Sequence, residues 1–85
     1  MKPISTKKDV AEKVFGVDYN TLYRWCRYGV PKVRRQVVDK ILCKIEQREL
    51  GGVVVENKEL RIISLNDPAS FRRRLKRLFP IFLEN

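Results

Sequence analysis

Tyr19, Asn20, Tyr23, Arg24 and Arg27 alternate at spacings of one and three residues, which gathers them on one side of a helix. Arginine presents a fork that matches the O6 and N7 acceptors of guanine, and asparagine pairs in the same two-point way with adenine. Tyrosine can stack on a sugar or donate to a phosphate. Thr21 falls near the start of the same helix, where a hydroxyl and free amides suit a phosphate. The chemistry on offer is recognition of base edges and phosphates by one helical face. The alternative is an ordinary helical hairpin whose charges are merely solvated.

The elements that must position this face are legible around it. Ser5 or Thr6 can cap a first helix, with Asp9 in its first turn. Val10, Ala11, Val14 and Phe15 form an apolar stripe on it, and Gly16 ends it in a left-handed turn. Asp18 is placed to cap a second helix by accepting from the amide near Thr21. That helix is expected from Tyr19 to Tyr28, stopped by Gly29. Trp25 repeats the Leu22 face and is expected in the core.

A segment reading Ala11-Glu12-Lys13, then Gly16-Val17, then Thr21-Leu22-Tyr23-Arg24-Trp25 resembles the helix-turn-helix of repressors, excisionases and related regulators. The resemblance covers residues 5–31. It implies that the Tyr19–Tyr28 helix enters the major groove of duplex DNA. One departure stands out. Ala11 and Gly16 are five residues apart where the family pattern has four, so one residue has been added near Phe15.

Downstream, a third helix is expected from Pro31 to Leu50, with Val33, Val37, Val38, Ile41, Leu42 and Ile45 as its apolar face. Arg34 and Arg35 at its start could grip phosphates or be simply solvated. Val53-Val54-Val55 and Leu60 to Leu65 are rich in β-branched residues and flank the polar turn Glu56-Asn57-Lys58-Glu59, which reads as a β-hairpin. By resemblance this is a wing with Asn57 and Lys58 at its tip. Asp67-Pro68 starts a last helix with Phe71, Leu75, Leu78 and Phe79 inward. The expected fold is therefore mainly α with a β-hairpin, a single winged helix-turn-helix domain over residues 1–85 with a C-terminal helix. The basic run from Arg72 to Arg77 could be a second DNA patch or the solvent face of a helix packed on another subunit.

Composition narrows the function classes. Nineteen Lys and Arg against ten Asp and Glu leave a formal charge of +9 on 85 residues, which favours an anionic partner. There is no histidine, no glycine-rich phosphate loop and no convincing carboxylate pair, so no enzyme activity and no cofactor are expected. Cys26 and Cys43 lack the spacing of a zinc site and are expected as reduced thiols. No apolar run reaches the roughly eighteen residues of a membrane span, and Met1 to Ser5 lack the apolar region of a signal peptide. The expectation is a cytoplasmic, nucleoid-associated protein that binds double-stranded DNA as a homodimer and acts as a transcriptional repressor. A layout similar to the small centromere-binding proteins of archaeal plasmids makes a plasmid-segregation adaptor the alternative. A rival of another class is an interaction protein whose basic C-terminal helix recruits an acidic protein partner.

Overall fold

The computed structural model describes residues 6–49, 51 and 57–83, and every described element is helical. Thr6 accepts from the Asp9 amide at 3.0 Å and opens α1, Lys7–Asp9. The chain continues without a break into a π-helical turn, Val10–Phe15. Helices α2, Tyr19–Tyr28, and α3, Lys32–Glu49, follow, then α4, Lys58–Ser64, α5, Pro68–Leu78, and a 3₁₀ turn, Pro80–Leu83.

The π-turn gives the five-residue step from Ala11 to Gly16 its form. The amide of Gly16 reaches back five residues to the Ala11 carbonyl, and the Val17 amide meets the same oxygen at 3.0 Å. A widened turn of this kind absorbs one extra residue inside a helix. Val10 and Ala11 therefore stay fully buried while Gly16, at φ 68°, still makes the left-handed exit. Asp18 caps α2 as expected, accepting from the Thr21 amide at 3.0 Å.

The core lies where α2 crosses α5, closed by the π-turn, α3 and the 3₁₀ turn. Leu22, Leu42, Phe71 and Leu75 are fully buried, and Trp25 packs edge-on against Phe15 and Phe71 at ring separations of 6.0 and 6.4 Å. Each such side chain contributes about 2 kcal/mol by leaving water. Phe79 is buried, and Ile81 and Phe82 pack on the core from the 3₁₀ turn.

Two expectations are overturned. The winged architecture and its β-hairpin are absent: residues 58–64 are α4, and no strand occurs among the described residues. The proposed first strand, Val53 to Val55, lies outside the described residues. Asn57 is a helix cap, its side-chain oxygen accepting from the Glu59 amide at 2.7 Å, and Lys58 is the first residue of α4. The physical reason is the burial pattern. Arg61 and Ile62 are half-buried and Leu65 is fully buried, which is helical spacing, whereas Leu60 and Ile63 are both exposed. An alternating strand would bury a different set, and tertiary contact overrides the β-propensity.

The inward face of α3 also differs. Val38 and Leu42 are buried, but Val33 and Val37 are 85% and 56% exposed, and Asp39 and Glu46 take the inner positions. Both carboxylates are held by Arg74 of α5. Its Nε and Nη2 donate to the two Glu46 oxygens at 2.8 Å each, and its Nη1 lies 2.9 Å from Asp39 Oδ1, off the hydrogen-bond direction. Arg61 of α4 meets the same Asp39 oxygen at 3.4 Å. Burial pulls the Arg74 guanidinium towards losing its proton, but Glu46 and then Asp39 more than reverse this, and its pKa is raised. One arginine thus ties α3 to α5 through charge where an apolar stripe was expected.

Candidate nucleic-acid interface

Helix α2 carries its apolar residues inward and leaves a polar outer face. Leu22 and Trp25 are buried, while Tyr19 and Tyr23 are 39% and 49% exposed, and Asn20, Arg24 and Arg27 are exposed beside them. No Asp or Glu occurs between Tyr19 and Tyr28. The sequence-derived set is therefore brought together on one surface. The two tyrosine rings lie 6.3 Å apart, tilted at 43°. Arg27 donates to the Tyr23 hydroxyl at 3.3 Å and lies over the Tyr28 ring, 5.8 Å from its centre. The side chains of Asn20 and Arg24 make no hydrogen bond among the described residues.

Thr21 is half-buried and turned to the cap. Its hydroxyl and its amide both donate to the Asp18 carboxylate, and these two bonds, the hydroxyl first, hold Asp18 below its ordinary value. The Thr21 hydroxyl is thereby committed within the protein.

Arg34 and Arg35 diverge. Arg34 is exposed at the start of α3. Arg35 turns inward: its Nε donates to the Val30 carbonyl and its Nη2 to the Asn66 side chain, each at 2.8 Å. With the Val30 amide donating to the Leu65 carbonyl at 2.8 Å, it staples the α2–α3 turn to the α4–α5 turn. The same contacts set α4 antiparallel to α3, since Arg35 meets Asn66 and Asp39 meets Arg61. Asn57 and Lys58 consequently lie further along α3, away from the end next to α2.

The basic run of α5 is divided by the fold. Arg74 is in the core network. Arg72 and Lys76, one turn apart, face α2, and Arg72 donates to the Cys26 carbonyl at the end of that helix. Between them opens a cavity of about 280 Å³ lined by Lys7, Tyr19, Leu22, Tyr23, Cys26 and Phe82. Burial, partly offset by Arg72 and Lys7, pushes the half-buried Cys26 thiol up to about 11. Neither Cys26 nor Cys43 is in a disulfide. Lys7 and Lys76 stand outside the sequence-derived site, although the four-residue step from Arg72 to Lys76, flanking the Phe71 and Leu75 stripe, was a usable signal.

Among the described residues no group of side chains could hold a metal ion, and no helix is long and apolar enough to cross a membrane. Comparisons with protein-family models, curated proteins and solved structures find no match to this chain.

Proposed function

We propose that this protein binds double-stranded DNA in a sequence-dependent way, with α2 entering the major groove. The observation that carries the reading is the α2 face, where Asn20 and Arg24 are exposed and make no side-chain hydrogen bond among the described residues, and where no acid falls between Tyr19 and Tyr28. Arg24 and Asn20 would read base edges, with Tyr19, Tyr23 and Arg27 on sugars and phosphates. Arg34, at the start of the next helix, would add a backbone contact. The biological role that suits such a domain is transcriptional repression, with a segregation adaptor as the alternative.

One α2 helix covers only a few base pairs, so a homodimer is the companion proposal. Val33 and Val37, four residues apart on the outer face of α3, give it an apolar contact to cover. Sedimentation equilibrium checks this: Val33→Glu should shift the protein towards monomer while its circular dichroism stays helical, and any fall in melting temperature should be the concentration-dependent loss of dimer stabilisation.

The deciding experiment is selection of bound sequences from a random duplex pool, followed by comparison of wild type with Arg24→Ala. A selected site is expected to lose about 1–3 kcal/mol of binding in the variant, with random duplex affected less. Equal losses on both would remove the base-reading role. Absence of salt-dependent duplex binding by the wild type would remove the reading altogether. A footprint on a single palindrome favours repression, and one that lengthens with protein concentration favours segregation.

A further inference from the structure

We infer that the cavity between α2, α5, Lys7 and the 3₁₀ turn is a binding site for a planar aromatic anion of nucleoside-monophosphate type. It is a partly open pocket of about 280 Å³, just below the roughly 300 Å³ at which small-ligand pockets begin, and suits one ring system bearing one anionic group with part of the ligand left in solvent. Its chemistry is divided in the way such a ligand requires. Lys7, Arg72 and Lys76 supply three cations, and no carboxylate lines the walls. None of the three cations has an ion-pair partner among the described residues. Tyr19, Tyr23 and Phe82 supply aromatic walls, and Leu22 and Cys26 an apolar floor.

The cations are also placed in advance. The Cys26 carbonyl holds the Arg72 guanidinium at the rim, and Lys76 follows it one helical turn later. Lys7 is drawn over the face of Phe82, its ammonium 5.6 Å from the ring centre. A phosphate at Arg72 and Lys76 leaves the attached ring to lie among Phe82 and the two tyrosines. The protonated Cys26 thiol adds no negative charge to oppose it. Tyr19 and Tyr23 belong both to this cavity and to the outer face of α2, so a bound ligand and duplex DNA compete for the same two side chains.

The site is tested on the full chain without duplex, so its outcome is independent of the proposed DNA binding. Calorimetric titration with adenosine monophosphate is expected to saturate, with adenosine alone and inorganic phosphate alone each at least about tenfold weaker. Lys76→Ala, an exposed position, should weaken the nucleotide about fivefold or more with an unchanged melting temperature, and Arg72→Ala should act in the same direction. A short 5′-phosphorylated single strand binding at least about tenfold tighter than the free nucleotide would identify a strand end as the source of the ligand, whereas equal affinities would identify the free nucleotide. Phosphate binding as well as the nucleotide, no saturable binding, or full affinity in both variants would overturn the assignment.

Discussion

A β-carbon on Gly29 would lie 2.2 Å from the backbone oxygen of Asn66. Gly29 closes α2 at φ 95° and ψ 163°, a region of backbone space that is essentially glycine's alone. The close approach lets the Val30 amide reach Leu65, and so seats the end of α2 on the α4–α5 turn. Gly29→Ala is therefore expected to cost about 3 kcal/mol. Gly16→Ala meets no atom within 4 Å and carries only the left-handed penalty, about 1 kcal/mol. Urea unfolding of the two variants checks the difference, and equal costs would contradict it.

Among the described residues, Arg74 is the link between the two buried acids of α3 and α5. Arg74→Met leaves Glu46 without its two charge-assisted bonds and Asp39 with Arg61 at 3.4 Å. Removing one partner of a buried ion cluster costs about 3–5 kcal/mol. Replacing Asp39, Glu46 and Arg74 together by apolar residues of similar size should recover most of that loss. Thermal denaturation of both variants reads the result.

Arg34 and Arg35 should separate binding from stability. Arg34→Ala is expected to leave the melting temperature unchanged and to lower the salt slope of duplex binding by about 0.9. Arg35→Ala should do the reverse, because its guanidinium is occupied by Val30 and Asn66. It should lower stability by about 1–3 kcal/mol and leave the salt slope intact in protein that remains folded.

Stability should fall in acid through the helix caps. Asp18 is held below its ordinary 3.8 by the Thr21 hydroxyl and amide, and Asp67 by the Ser70 hydroxyl and then the Ala69 amide. A carboxyl with a lowered folded-state pKa stabilises above its unfolded value and loses that contribution as pH falls through the folded one. The melting temperature should thus be flat near neutrality with respect to these groups and decline below about pH 4. Asp18→Asn and Asp67→Asn, which keep a capping oxygen, should each flatten part of that decline.

The first half of the molecule was legible because its signals are local. Thr6, Gly16, Asp18 and Gly29 each mark a helix end through their own backbone chemistry, and Leu22 with Trp25 define an inner face that separates the outer face without ambiguity. The second half was legible only in part: Asp67 and Pro68 open α5 and Phe71 and Leu75 face inward as their types and spacing dictate, but non-local charge decides α3 and α4. Arg61 and Arg74 lie more than twenty residues from Asp39 in sequence, and nothing in the helical period of α3 announces that two acids displace valine from the core. The β-branched run at Ile62 and Ile63 carried a strand signal, and it was the packing of Leu65 and Arg61 on α3 that made it a helix. The grouping of Lys7 with Lys76 depends on a fold contact between the two ends of the chain.

The π-turn at Val10–Phe15 also sets the phase of the chain that precedes it. In a regular helix of the same span, residues before Ala11 would arrive about 100° further round the axis and about 1.5 Å displaced. Lys7 would then leave the face of Phe82, and the cluster of positive charge beside α2 would lose a member without any change in the turn or in α2 itself. The widened turn thereby acts as an angular setting for the first charged residues of the protein.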